Sequence, residues 1–278
     1  MGGSGANISE RRTCWPWQSR GMEVAEYIAS VRGDGDLLAQ AAELVALDTP
    51  VPPCPGWRMR DLLAHLGYVH RWAAGHVAEA RTEMIPGPGH EGMLRLAPGD
   101  DVLTGWFREG YDRLVSVLAA ADPDLRCWTF LPAPSPLAFW ARRQAHETAI
   151  HRADAQLAAA SVLGTDVTPF GPRFAADGID ELLTGFAGRG RPPLEERLGV
   201  LRIRAVDGAD GGRDWTVPLG REHAGEGDAA AGRSCEVSGP GSDVYLLLWN
   251  REPARPPDVR GDPALLATWR DQMRVRWS

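Results

Sequence analysis

Lysine is absent: all 30 basic residues are arginine. This excludes a Schiff-base lysine, a phosphate-loop lysine and pyridoxal chemistry, and the bias itself is read as coding composition. Cysteine is scarce. Cys14, Cys54, Cys127 and Cys235 are scattered and form no C-x-x-C pair, so neither a disulfide framework nor a thiolate zinc cluster is predicted, and a reducing compartment fits. No apolar run approaches the roughly 18 residues of a membrane span, and the first residues carry no apolar signal-peptide core; a cytoplasmic protein is predicted. Excess positive charge is missing too. With a net charge of -7 and a pI near 5.5, neither nucleic acid nor an anionic membrane would meet the basic field it needs. A small molecule is the expected partner, and nothing in the sequence reports an oligomeric state.

What is present is enough apolar content, 44% of 278 residues, for a large core. Residues 1–21 have no period and are read as a flexible extension. Apolar spacing of three to four then predicts a helix over Glu23–Leu47, weakened in the middle and open to a break at Gly33 and Gly35. The prolines of Val51–Trp57 (VPPCPGW) forbid helix there, so the second helix starts near Trp57 and runs to about Ala80. A Pro/Gly-rich loop, Ile85–Gly99, precedes a third helix over Asp101–Ala121, and the Pro132, Pro134, Pro136 run precedes a fourth over Leu137–Ala160. Beyond Leu163 a short helix around Phe174–Phe186 leads to strands at Leu198–Val206, Arg213–Leu219 and Arg233–Val237, with helices at Ser242–Trp249 and Pro263–Met273. The fold class is α+β: a four-helix bundle over 22–165, a linker over 166–192 and a small α+β domain over 193–278.

The stretch ARRQAHETAIHRADAQLAA carries the chemistry. Glu147 and His151 are four residues apart and project from one helix face, whereas His146 and His151 are five apart and diverge by about 140°, which excludes the two-histidine metalloprotease arrangement. His65, on the second helix, is the leading third ligand, because facing helices of a bundle bring inward side chains to one point. Three His/Glu ligands leave an open position for water or substrate. Asp61, Arg143 and Asp154 lie within a turn of these residues and are candidates to orient them. The eleven tryptophans read as core filling, and Cys54 as a buried thiol with a minor ligand or redox role left open. His70, His76, His90 and His223 lack a partner at ligand spacing, although His76 returns to the face of His65.

Two segments, Val51–Trp57 with Arg60–Gly67 and Val69–Trp72, and Ala141–Asp154, together resemble the mycothiol-dependent maleylpyruvate isomerase-like proteins of the wider DinB-like group. Leu246–Arg251 and Arg260–Pro263 resemble that family's C-terminal domain, a small sterol-carrier-like unit. The resemblance implies one divalent ion, zinc by expectation, on His65, Glu147 and His151, though nickel, iron or cobalt suit the same ligands. It also implies mycothiol as a cosubstrate whose thiolate attacks an electrophilic carbon, as in a maleyl compound, giving an isomerase or S-transferase. Arg251 matches the family's C-terminal arginine and is expected to meet a substrate carboxylate. Two departures stand out: Arg58 at a helix-start position where the family often has Ser or Thr, and Asn250 in place of the usual Gly before Arg251. A thiol-independent metal-water hydrolase or lyase, and a non-catalytic metal-binding regulator, are the alternatives.

Overall fold

A computed structural model describes residues 21–187, 198–208, 211–220 and 233–273. The expectations for residues 1–20, the 188–193 breaker run and His223 lie outside the described residues. Helices α1 (Val24–Glu43), α2 (Met59–Ala78), α4 (Asp100–Ala120) and α5 (Pro136–Leu163) form the bundle. In it α1 packs on α5 and α4, and α2 on α4 and α5. The periodic stripes become the core: Leu38, Leu62, Leu66, Phe107, Leu114, Leu118 and Trp140 are all fully buried. Helix α1 is not broken by its glycines. Gly35 is needed where it is, since a Cβ there would stand 2.9 Å from the Tyr111 ring.

One helix was hidden from the sequence pattern. The Ile85–Gly99 segment is not all loop but carries α3 (Gly89–Leu96), packed on α2. The expected short helix after the bundle is α6 (Pro172–Glu181) running into a π-helical turn, Leu182–Phe186.

The C-terminal α+β domain has strands β1 (Gly199–Ala205), β2 (Arg213–Leu219), β3 (Ser234–Gly239) and β4 (Asp258–Gly261), with α7 (Gly241–Leu248) and α8 (Pro263–Gln272). The sheet order is β2-β1-β3-β4; β1 and β3 run parallel and the other pairs antiparallel. On β1, Leu201, Ile203 and Ala205 alternate inward, as a one-face-buried strand requires, and α7 and α8 pack against β1 and β3. Helix α7 also packs on α6, which seats the end of α7 beside the bundle. No described helix is long and apolar enough to cross a membrane.

Candidate metal centre

Helix α5 begins at Ser135, whose side chain accepts the Ala138 amide, with Pro136 at its first position; both are good helix starts. Near its middle Glu147 and His151 face α2, where His65 is buried. His65 Nε2 lies 3.5 Å and His151 Nε2 3.4 Å from Glu147 Oε1, and the three ligand atoms all fall within 4.8 Å of one another. Two donors on a tetrahedral ion with bonds of about 2.1 Å stand about 3.4 Å apart, so these spacings fit a shared cation. They are long for hydrogen bonds, whose usual range ends near 3.2 Å.

The tautomer of His151 follows from its other nitrogen. Nδ1 donates to Asp154 Oδ2 at 2.8 Å, leaving the Nε2 lone pair turned toward the Glu147 carboxylate. Two lone pairs facing each other repel unless a proton or a metal cation lies between them. Burial pulls the His151 pKa down, but hydrogen bonding to Asp154, Cys54 and Glu147 outweighs it and holds it well above the usual range. Burial pushes Glu147 up, yet hydrogen bonds with His151 and His65 and the Arg143 charge hold it well below.

Charged side chains adjoin Glu147 and His151. Arg143 donates from Nη2 to Glu147 Oε2 at 2.9 Å and from Nη1 to Glu181 Oε2. Asp154 is fully buried; burial raises its pKa, but the Arg251 charge and hydrogen bonds from Arg251 and His151 bring it below the carboxylate range. Asp61 does something else: its Oδ2 accepts the Arg58 amide at 2.8 Å, capping α2 from within and offsetting the missing Ser or Thr at position 58. Arg251 is brought to Asp154 and not to an open surface, with Nε donating to Oδ1 at 2.8 Å, Nη2 to Oδ2 at 2.7 Å and Nη1 to the Trp249 carbonyl at 2.7 Å. Its bidentate edge, expected for a substrate carboxylate, is held by the chain itself.

Asn250 explains how Arg251 reaches that far. Its φ of 62° is left-handed, a conformation asparagine tolerates better than most residues. The Asn250 amide donates to Leu247 O and the Arg251 amide to Leu246 O, the paired bonds of a Schellman stop. Its side chain engages Arg270 through Nδ2 to the carbonyl at 2.9 Å and from Arg270 Nε at 3.0 Å. The exchange of Gly for Asn therefore keeps the turn.

Sequence reasoning missed Trp57. The VPPCPGW loop closes on itself, with Val51 and Trp57 sharing a backbone bond and Gly56 at a φ of 87°, and it lays the indole against His151 (ring centroids 6.1 Å apart, 17° between planes) and His65 (4.9 Å). The same loop brings Cys54 Sγ to 3.4 Å from Asp154 Oδ2. Cys54, His151 and Asp154 form a second set of ligand atoms within 4.8 Å, but Asp154 is already engaged by Arg251 and His151. Burial and the Asp154 charge push the Cys54 thiol up, so it serves as a donor to Asp154.

His76, His70 and His146 have their own partners. His76 Nδ1 donates to the Trp72 carbonyl and its Nε2 accepts the Ile85 amide, which uses both nitrogens of a neutral ring and rules it out as a ligand. His70 Nε2 donates to Thr148 Oγ1 at 2.9 Å, since the Thr148 hydroxyl itself donates to the Gln144 carbonyl. His146, on the opposite side of α5, donates from Nε2 to Asp177 Oδ2 at 2.8 Å and accepts the Tyr245 hydroxyl at Nδ1, 3.1 Å.

Comparison with known proteins bears on this arrangement. Residues 10–156 match the Mycothiol maleylpyruvate isomerase N-terminal domain, which is more than half of the chain. The chain belongs to that family. Residues 173–268 match the family's C-terminal domain, and no curated protein matches. Among solved structures, the mycothiol-dependent maleylpyruvate isomerase superposes with a TM-score of 0.58 at 17% identity, and a histidine-to-alanine mutant of it with 0.59 at 16%. Each comparison covers 86% of this chain and 93% of the other. At that identity the likeness speaks for the fold, and the family assignment rests on the two matched domains.

Proposed function

We propose that the protein is a cytoplasmic, metal- and mycothiol-dependent isomerase or S-transferase acting on an electrophilic small molecule such as a maleyl-type acid. The observation that carries this reading is the convergence of His65, Glu147 and His151 within 4.8 Å at separations suited to one tetrahedral ion. Family membership supports the thiol and the reaction class. The described cysteines, all free, suit a reducing compartment.

Bound there, a divalent ion, zinc by expectation, would stabilise a coordinated thiol as thiolate. The chain's residues set the conditions for that. Asp154 fixes the tautomer that bares His151 Nε2, and Arg251 holds Asp154 ionised. Arg143 holds the second oxygen of Glu147, leaving Oε1 toward the histidines. Trp57 covers the imidazoles and limits water there, which strengthens every electrostatic interaction.

Steady-state turnover of maleylpyruvate by metal-loaded protein, with and without mycothiol, tests the reading. Turnover only with the thiol is expected. Equal rates without it would replace the reading with a metal-water hydrolase or lyase, and no turnover of any electrophile despite bound metal would favour the regulatory alternative.

A further inference from the structure

Arg143 keeps its charge away from water. The guanidinium stands 5.0 Å from the Phe186 ring and 6.0 Å from the Trp249 ring, and Arg143 and Glu181 are both buried. A buried guanidinium needs carboxylates to answer it, and two do: Nη2 donates to Glu147 Oε2 at 2.9 Å and Nη1 to Glu181 Oε2. Glu147 belongs to the His65 and His151 cluster, whereas Glu181 lies outside both clusters of close ligand atoms among the described residues.

Glu181 is the last residue of α6 and is held from behind. Its neighbour Asp180 accepts Arg213 Nη2 at 3.1 Å and Trp215 Nε1 at 3.0 Å through Oδ1, which pins the end of α6 to β2. The π-helical turn, a distortion that recurs at functional sites, follows directly and ends at Phe186, the ring against Arg143. One continuous element thus supplies a second carboxylate and an aromatic wall to the same guanidinium. The need for that carboxylate follows from geometry. A guanidinium is a planar fork that one carboxylate can fill with both oxygens. With Glu147 as its sole acceptor, Arg143 would draw on Oε1 as well as Oε2. Because Glu181 takes Nη1, Glu147 meets Nη2 through Oε2, and Oε1 stays 3.5 Å from His65 Nε2 and 3.4 Å from His151 Nε2.

We infer that Glu181 is a positioning residue for the metal centre: by engaging one edge of Arg143 it keeps Glu147 Oε1 available to a cation shared with the two histidines. The inference rests on the metal-binding reading above. Zinc affinity, by competition with a chelating dye, and the visible absorption of full-length protein loaded with cobalt(II) test it in wild type, Glu181→Gln, Arg143→Gln and the double variant, each checked as folded by circular dichroism. Glu181→Gln is expected to weaken zinc binding about tenfold and to shift the cobalt absorption, which follows the ligand geometry. In the Arg143→Gln background the same change is expected to alter zinc affinity by less than about twofold, because the link to Glu147 is already cut. Wild-type affinity and absorption in Glu181→Gln, or an equal loss of affinity in both backgrounds, would overturn the inference. Should Arg143→Gln fail to fold, the cobalt absorption of Glu181→Gln decides alone, since a role confined to stability would leave it unmoved. Failure of wild type to bind either ion would instead defeat the metal reading and the inference with it.

Discussion

Asp154 accepts the Nδ1 proton of His151 at 2.8 Å from one turn further along α5, and this single bond decides which imidazole nitrogen faces Glu147. Replacing Asp154 with Asn keeps the shape but weakens the bond and removes the charge that Arg251 answers. Metal affinity, measured by competition with a chelating dye, is expected to fall about 10–100-fold. Unchanged affinity would mean that Asp154 has no part in orienting the ligand.

A second network ties the bundle to the C-terminal domain. Asp177 Oδ2 accepts Tyr27 Oη, Arg142 Nε and His146 Nε2, and His146 passes the connection to Tyr245 on α7. Burial raises the Asp177 pKa, but hydrogen bonds from His146 and the Arg142 charge outweigh it and bring it down to about 2 from 3.8. A depressed carboxylate stabilises the fold above its unfolded pKa, and that contribution is lost as pH falls from about 3.8 to 2. Over that window it amounts to about 2 kcal/mol. Denaturant titrations across the window are expected to show this slope in wild type and not in Asp177→Asn, which also loses about 3 kcal/mol at neutral pH because Arg142 is left without its carboxylate.

His70 titrates at the other end of the acid range. Burial lowers its pKa from 6.5 to about 3, so the unfolded chain takes up a proton that the folded one refuses. The stability present above pH 6.5 is therefore lost as pH falls, by about 2 kcal/mol at pH 5. His70→Gln is expected to flatten that part of the stability profile; a slope equal to that of wild type would assign it to another group.

Gly67 on α2 faces Trp106 on α4, and a Cβ there would meet the indole at 2.2 Å. Alanine would gain about 1 kcal/mol of helix propensity, but overpacking costs about 1–3 kcal/mol. Net destabilisation of Gly67→Ala, read as a lowered melting temperature, is expected, and a raised one would show that Trp106 yields freely.

Much of this was legible from residue spacing. The period of three to four located the bundle helices, and the four-residue step from Glu147 to His151 marked the centre because helix geometry alone puts them on one face. Helix α3 and strand β4 were not legible: α3 has only eight residues between breakers, and β4 has four, all exposed, with no alternation to read. Asp61 was misread as a support for His65 because the third helical position serves a cap equally well. Trp57 against the imidazoles, Arg251 against Asp154 and Glu181 against Arg143 depend on loop closure and on contacts far apart in sequence, which no local pattern encodes.

The central claim is that His65, Glu147 and His151 share one cation. Elemental analysis of purified wild type beside His65→Ala, Glu147→Gln and His151→Ala, each verified as folded by circular dichroism, tests it most directly. About one equivalent of divalent metal in wild type and little in every folded variant is the expected result; equal metal content across the set would contradict it.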